Sequence, residues 1–287
     1  MKIAACFSGQ LGTFQKCFHN QKEIFIDENN CDIFVHTSDA ISQKGNRILN
    51  PDWEKHVHEY RDYLEENGKD HWRKNYKTYG IIYNIPREVA MQSIQNVYEK
   101  RLKAFFVEKE PISEVDKELE VLKTKWQWLK NKQFEKMYKC NELLHLYESM
   151  KDIKYDIVVR SRFDIVFTRK INIQQIISKY DNIDNKIFVF GGWESPEKDR
   201  FMDGYICDGF VFGKPDVVDI FCEIYKREEP YPPNPKYIDY YNRMGDSAEY
   251  QVKQHMLKNN VEICYINDPQ YQLSDNRCGR WQYQVLR

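Results

Sequence analysis

The segment YDIVVRSRFDIVF (155–167) sets Arg160, Arg162 and Asp164 two residues apart at the end of an apolar run. Along a β-strand, side chains at i and i+2 point to the same face. A regular strand would therefore send Arg162 and Asp164 into one crevice, with Arg160 joining them. A guanidinium suits phosphate oxygens and a carboxylate suits a divalent cation, so the group is a workable diphosphate clamp. The plainer reading of Arg162-Phe163-Asp164 is a salt-bridged pair at a strand end, and spacing leaves both open. A buried strand that turns charged at its carboxyl end is also where open α/β sheets place ligands.

A second candidate is Ser8-Gly9-Gln10, directly after the apolar KIAACF (2–7). A glycine turn there can bring backbone N–H groups to a nucleotide. It can equally be a tight turn that needs a positive φ at Gly9 or Gly12. Neither the dinucleotide G-x-G-x-x-G nor the P-loop G-x-x-x-x-G-K-[ST] is present, which disfavours kinases and sulfotransferases of the P-loop type. Four further acids are candidates for the site. Asp208 opens the strand GFVFG, where Gly209 and Gly213 would leave room for a ligand. Asp246 and Glu249 stand at a helix start, where the dipole favours charge, although Asp246 also reads as an N-cap. Asp203 reads as a turn residue or as part of the site. His36 and His255 have no Ser or Cys neighbour to form a nucleophile–base pair and read as structural.

These residues need an α/β scaffold. KIAACF, a glycine turn, the helical spacing of Phe14, Cys17, Phe18 and Ile24, then CDIFVHT (31–37) form a strand–helix–strand opening that predicts a parallel pair. KAFFVEKEP (103–111), KIFVFGGW (186–193), DGYICDGFVFG (203–213) and VEICYIN (261–267) read as further strands. Residues 114–151 are helical, with Phe134, Met137, Tyr138, Leu144, Tyr147 and Met150 as a core-facing stripe. KPDVVDIFCEIYKR and GDSAEYQVKQHMLKNN read as helices, the first with Pro215 in its first turn. The polar stretch 40–104, with helices over EKHVHEYRDYLEENG and EVAMQSIQNVYEKRL, would cover one side of the sheet or form a lid.

Composition narrows the classes. Lys and Arg total 43 against 44 Asp and Glu, without the basic surplus of a nucleic-acid binder. Aromatic residues make up 15% of the chain, so rings must supply much of the core. No window reaches the ~18 apolar residues of a membrane span. The start MKIAACFSGQ is too short in apolar residues for a signal peptide. The eight cysteines are scattered without C-x-x-C, which reads as buried thiols in a cytosolic chain.

The ordered set CFSGQ, CDIFVHT, the amphipathic helix into YDIVVRSRFDIVF, DGFVFG and a Glu-bearing helix resembles a family of GT-A-type nucleotide-sugar glycosyltransferases. This family includes WavE-like lipopolysaccharide proteins and the glycan-building transferases of large DNA viruses such as chlorella viruses. The resemblance covers roughly 1–39 and 130–265. It implies one glycosyltransferase domain over 1–287, a mostly parallel Rossmann-type sheet flanked by helices, a helical insertion at about 40–104 and an acceptor-side half at about 168–287. It implies transfer of a sugar from a nucleoside diphosphate to a glycan acceptor hydroxyl, with inversion, in the cytoplasm (the host's for a viral protein). Asp164 would hold Mn²⁺ or Mg²⁺, with Arg162 standing where the first Asp of Asp-x-Asp is usual and free to contact phosphate directly. Ser8, Gly9, Gln10 and Arg160 would line the donor pocket. Asp208 would be the base, with Glu249 and Asp246 behind it. Gly192, Trp193 and Asp203 would face sugar or acceptor, and the Tyr-rich 228–242 loop would close over the acceptor. The alternative is a catalytically silent nucleotide- or glycan-binding protein of the same fold.

Overall fold

The structure, a computed structural model, describes residues 1–11, 14–42, 82–84, 86–109, 130–163, 165–167, 170–190, 206, 209–232, 248–266 and 283–285. The strand–helix–strand opening forms as β1 (Ile3–Gln10), α1 (Phe14–Gln21), which continues as a π-type turn to Ile26, and β2 (Asp32–Ser38). Then come β3 (Ala40–Ser42), β4 (Ile82–Asn84), α2 (Arg87–Tyr98), β5 (Leu102–Glu108), α3 (Glu135–Lys151), β6 (Ile157–Ser161) and β7 (Ile165–Phe167). The rest is α4 (Ile173–Ile177), β8 (Lys186–Phe190), β9 (Phe210–Gly213), α5 (Pro215–Cys222), α6 (Ala248–Lys258), β10 (Glu262–Ile266) and β11 (Tyr283–Val285).

Seven strands make one mixed sheet in the order β10-β8-β9-β6-β1-β2-β5. β1 pairs in parallel with β2 and β6, β2 with β5, and β8 with β10. β9 runs antiparallel to both its neighbours, β6 and β8. The chain moves outward from β1 to β2 and β5, then returns to lay β6 on the other side of β1. Its direction of winding therefore reverses between β1 and β6, the position where open α/β sheets form a ligand crevice.

Helices cover both faces, so the molecule is a three-layer α/β arrangement. One core holds Ala5, Phe7, Val35, Val159 and Phe212 under Phe14, Phe18, Ala90, Ile94 and Tyr98 of α1 and α2. The other holds Ala4, Cys6, Phe34, Val158 and Val211 under Met137, Cys140, Leu144, Phe221 and Val252 of α3, α5 and α6. Among the described residues the ten largest fully buried side chains are all phenylalanine. All six described cysteines are buried free thiols, as their scatter predicts. The stripe on α3 is narrower than expected: Phe134, Met137 and Leu144 are buried, Tyr138 and Tyr147 are half-buried, and Met150 is exposed.

Three local features depart from the sequence reading. Within 40–104 the described residues include a short antiparallel strand pair, β3 with β4. In the same stretch α2 buries Ala90, Ile94 and Tyr98 against the sheet and so covers one side of it. Gly213 leaves no room for a ligand, because a Cβ there would lie 2.9 Å from the backbone oxygen of Lys186 on the neighbouring strand. The apolar run through 155–167 is not one strand: β6 stops at Ser161, and β7 pairs with β11 in a separate two-stranded sheet. The expected helix EKHVHEYRDYLEENG lies outside the described residues.

Candidate functional site at the sheet switch point

β1 ends beside β2 with Ser8 opposite His36, Gly9 opposite Thr37 and Gln10 opposite Ser38. On its other side Phe7 faces Ser161, the last residue of β6, so Arg162 follows one step beyond that pair. The two segments singled out in the sequence, Ser8–Gln10 and Arg160–Arg162, thus meet at the carboxyl end of the sheet. Gly9 has φ +124°, a region that disfavours side chains, and a Cβ there would meet nothing within 4 Å. While Gly12 lies outside the described residues, Gly9 thus has the positive φ and an α-carbon bordering open space. Its carbonyl accepts from Thr37 Oγ1 at 2.7 Å, which fixes the end of β1 against β2.

The antiparallel direction of β9 adds a third segment. Phe210 pairs with Ser161, so the start of β9 lies at the same sheet end as the carboxyl ends of β1 and β6. The Arg162 amide donates to the carbonyl of Gly209 at 3.1 Å. Just upstream, the Ile206 amide reaches the Glu249 carbonyl at the start of α6, 3.5 Å away. The backbone flanking Asp208 is therefore bracketed by Arg162 on one side and Glu249 on the other. Asp208 itself, with Asp164, Gly192, Trp193, Asp203 and Asp246, lies outside the described residues. So does most of the Tyr-rich loop; its described part, up to Pro232, is tied to α6 by Tyr231 and Tyr250.

The two arginines are not equivalent. Arg160 is 2% exposed, lies on β6 opposite Cys6, and stands within electrostatic reach of Cys222 on α5. It belongs to the packed layer beneath the crevice. Arg162 is half-buried, past the end of the strand, and is the better placed to meet a ligand.

The break after Ser161 has an unforeseen cause. Phe163 turns into the core, stacked on Phe7 at 5.8 Å and edge-on to Phe14 at 5.5 Å. Gln21, fully buried at the end of α1, donates its amide to the carbonyls of Arg162 (3.2 Å), Phe163 (3.2 Å) and Ile165 (2.8 Å). Asn20 clamps Phe167 through both its amide and its carbonyl oxygen. Backbone groups that leave the strand ladder must find partners, and α1 supplies them. The reading in which Arg160, Arg162 and Asp164 project together from one regular strand is corrected accordingly.

Sequence reasoning missed a charged cluster beside the crevice. Glu108, at the end of β5, accepts from Lys136 Nζ at 3.1 Å and Lys139 Nζ at 2.7 Å, and its carboxylate lies 3.6 Å from His36 Nε2. Burial alone would raise the Glu108 carboxyl, yet the two ammonium groups bring it below the usual carboxylate range. His36 is lowered as well, which for a base favours the neutral form. Burial, reinforced by Lys136 and Lys139 and opposed by Glu108, lowers its pKa to about 4. A neutral imidazole therefore fills this position at physiological pH, consistent with a structural role. Ser8 Oγ, Ser38 Oγ and His36 Nδ1 are buried polar atoms with no hydrogen-bond partner among the described residues. His255 is saturated, with Ile220 O at 2.8 Å and Tyr231 Oη at 2.9 Å, as expected of a structural histidine.

The depressed pKa of His36 has a testable consequence. Its folded value lies below its unfolded value near 6.5, so its contribution to stability is complete above pH 6.5 and is lost as pH falls towards 4. At 1.36 kcal/mol per unit, this amounts to about 3 kcal/mol at acid pH. Denaturant melts from pH 7 to 4 should show His36→Gln losing that much less stability than the unaltered protein. Parallel acid limbs would contradict it.

Comparison with known proteins adds no assignment. No protein-family model matches the chain, and a search of curated proteins finds no relative. No helix among the described residues is long and apolar enough to cross a membrane. Nor do the described residues contain a group of three or more His, Cys, Asp or Glu side chains able to hold a metal ion. Asp164, the expected ligand, lies outside them.

Proposed function

We propose that the chain is a nucleotide-sugar glycosyltransferase that moves a sugar from a nucleoside diphosphate to a glycan acceptor hydroxyl. The observation that carries this reading is the convergence of three segments at the switch point: the Ser8–Gln10 end of β1, Arg162 after β6, and the start of β9. Ser8–Gln10 belongs to β1 and is paired with β2, where the sequence suggested a turn after the strand, so the support for a diphosphate site is that its strand end and Arg162 stand together at the carboxyl edge of the sheet. The mostly parallel sheet with helices on both faces supports a GT-A-like architecture.

In the transfer, the acceptor oxygen attacks the anomeric carbon while the bond from that carbon to the diphosphate oxygen breaks. The electron pair leaves with the nucleoside diphosphate, and Arg162 stabilises the charge developing there. The acceptor proton passes to a carboxylate, first Asp208, with Glu249 and Asp246 as the next candidates. Attack from the face opposite the leaving group inverts the anomeric centre. Mn²⁺ or Mg²⁺ held by Asp164 would supply further neutralisation of the diphosphate. Gly192, Trp193 and Asp203 are assigned to the sugar or acceptor side.

A thermal-shift screen of UDP, GDP, CMP and dTDP and their sugars, with and without Mn²⁺, tests this. One nucleotide should raise the melting temperature, with the metal-dependent part lost in Asp164→Ala. By mass action, ligand at a hundred times its Kd adds about 2.7 kcal/mol, well within detection. If no nucleotide or nucleotide sugar stabilises the protein, the proposal fails. Binding without donor hydrolysis or transfer would leave the silent-binder alternative.

A further inference from the structure

Away from the crevice, on the face covered by α3 and α5, a histidine lies between two acids on different helices. His145 Nε2 is 2.8 Å from Asp219 Oδ1 on α5, and its Nδ1 is 3.2 Å from Glu148 Oε2, one turn along α3. A neutral imidazole carries one N–H, so only the protonated ring can donate to both carboxylates at once. We propose that His145 is a proton-operated clamp: as imidazolium it ties α5 to α3, and on losing its proton it lets that joint loosen.

The surrounding groups make two states available. Asn141 Nδ2 donates to Asp219 Oδ1 at 2.7 Å and lies 3.2 Å from His145 Nε2. While Nε2 carries a proton, both groups donate to the same carboxylate oxygen. Once Nε2 is bare it becomes an acceptor, and the Asn141 amide can turn to it and weaken its own hold on Asp219. Glu148 is 2% exposed and stays anchored in either state, accepting from the Tyr155 amide at 3.0 Å and from Lys154 Nζ at 3.3 Å. The charged and titratable groups facing the site are thus Glu148 and Lys154 from α3 and the turn after it, Asp219 from α5, and the buried thiol of Cys6 from β1. The hydrogen bond to Asp219, opposed by partial burial and helped by Glu148, raises the His145 pKa above its ordinary value. Cys222, one turn after Asp219 on α5, lies within electrostatic reach of Arg160, so the clamp borders the layer beneath the crevice.

The sign follows from the raised folded pKa. The clamp contributes in full below pH 6.5, and its contribution is lost as pH rises through the folded value. This is opposite in sense to His36. The test combines histidine Cε1–H NMR titration with thermal melts from pH 6 to 9. One of the seven histidines should titrate above 6.5, vanish from the spectrum of His145→Gln, and move back towards 6.5 in Asp219→Asn. The melting temperature should decline with rising pH more steeply in the unaltered protein than in His145→Gln. Should His145→Gln fail to fold, the resonance that shifts in Asp219→Asn identifies the residue, because Asp219 is half-exposed and its amide is isosteric. A His145 that titrates at or below 6.5, or equal pH slopes with and without it, would overturn the clamp.

Discussion

Phe163→Ala should lower the unfolding free energy by about 3–5 kcal/mol, a large part of the 5–15 kcal/mol of a typical domain. Phe163 is 1% exposed, so truncation leaves a cavity between Phe7 and Phe14 instead of a solvated gap. Its two ring contacts add roughly 0.5–1.5 kcal/mol each beyond the area they bury. The backbone at this position is also held by Gln21, so the chain cannot slide inward to close the void. Urea unfolding with an unchanged m-value should show the shift in midpoint, while Phe163→Leu should cost much less. Because Arg162 and Asp164 flank this ring, the same truncation should erase nucleotide-induced stabilisation even where the protein remains folded. A loss below about 1 kcal/mol would mean that Phe163 is not the anchor of the bend.

Arg162→Ala should weaken nucleoside-diphosphate binding at least a hundredfold, about 2.7 kcal/mol, in protein that remains folded. A guanidinium bound to phosphate makes charge-assisted hydrogen bonds worth about 1.5–3 kcal/mol each in net terms. The residue is half-buried, and its backbone amide donates to Gly209, a bond that alanine keeps. Arg162→Lys should retain only part of the affinity, since an ammonium cannot match the two-pronged geometry. Arg160→Ala should behave differently, losing stability first, because its side chain lies in the packed layer beside Cys222.

The framework was readable where periodicity and apolar content speak locally. KIAACF and CDIFVHT became a parallel pair, and the run through Ile157, Val158 and Val159 became a central strand. Strand direction carries no such signature: GFVFG alternates identically read forward or backward. Asp208 at the start of a parallel strand would stand at the wrong end of the sheet, and only the antiparallel course of β9 brings that start beside Arg162. The bend after Ser161 was hidden for a related reason. Phe163 and Ile165 read as a continuing strand, while the group that redirects them, Gln21, is 141 residues away from Arg162 in the chain. His145 and Asp219, 74 residues apart, likewise meet only through the packing of α3 on α5. Glu108 escaped notice because a lone acid closing an edge strand looks like any solvated charge until two lysines from α3 reach it.

The most direct test of the switch-point site is calorimetric titration of UDP-, GDP- and dTDP-sugars into the protein and into Arg162→Ala, both checked to be folded at the titration temperature. One nucleotide sugar should bind the unaltered protein with a measurable Kd and bind Arg162→Ala at least a hundredfold more weakly. Equal affinity for both proteins, or no binding by any of the three, would contradict a diphosphate site where β1 and β6 part.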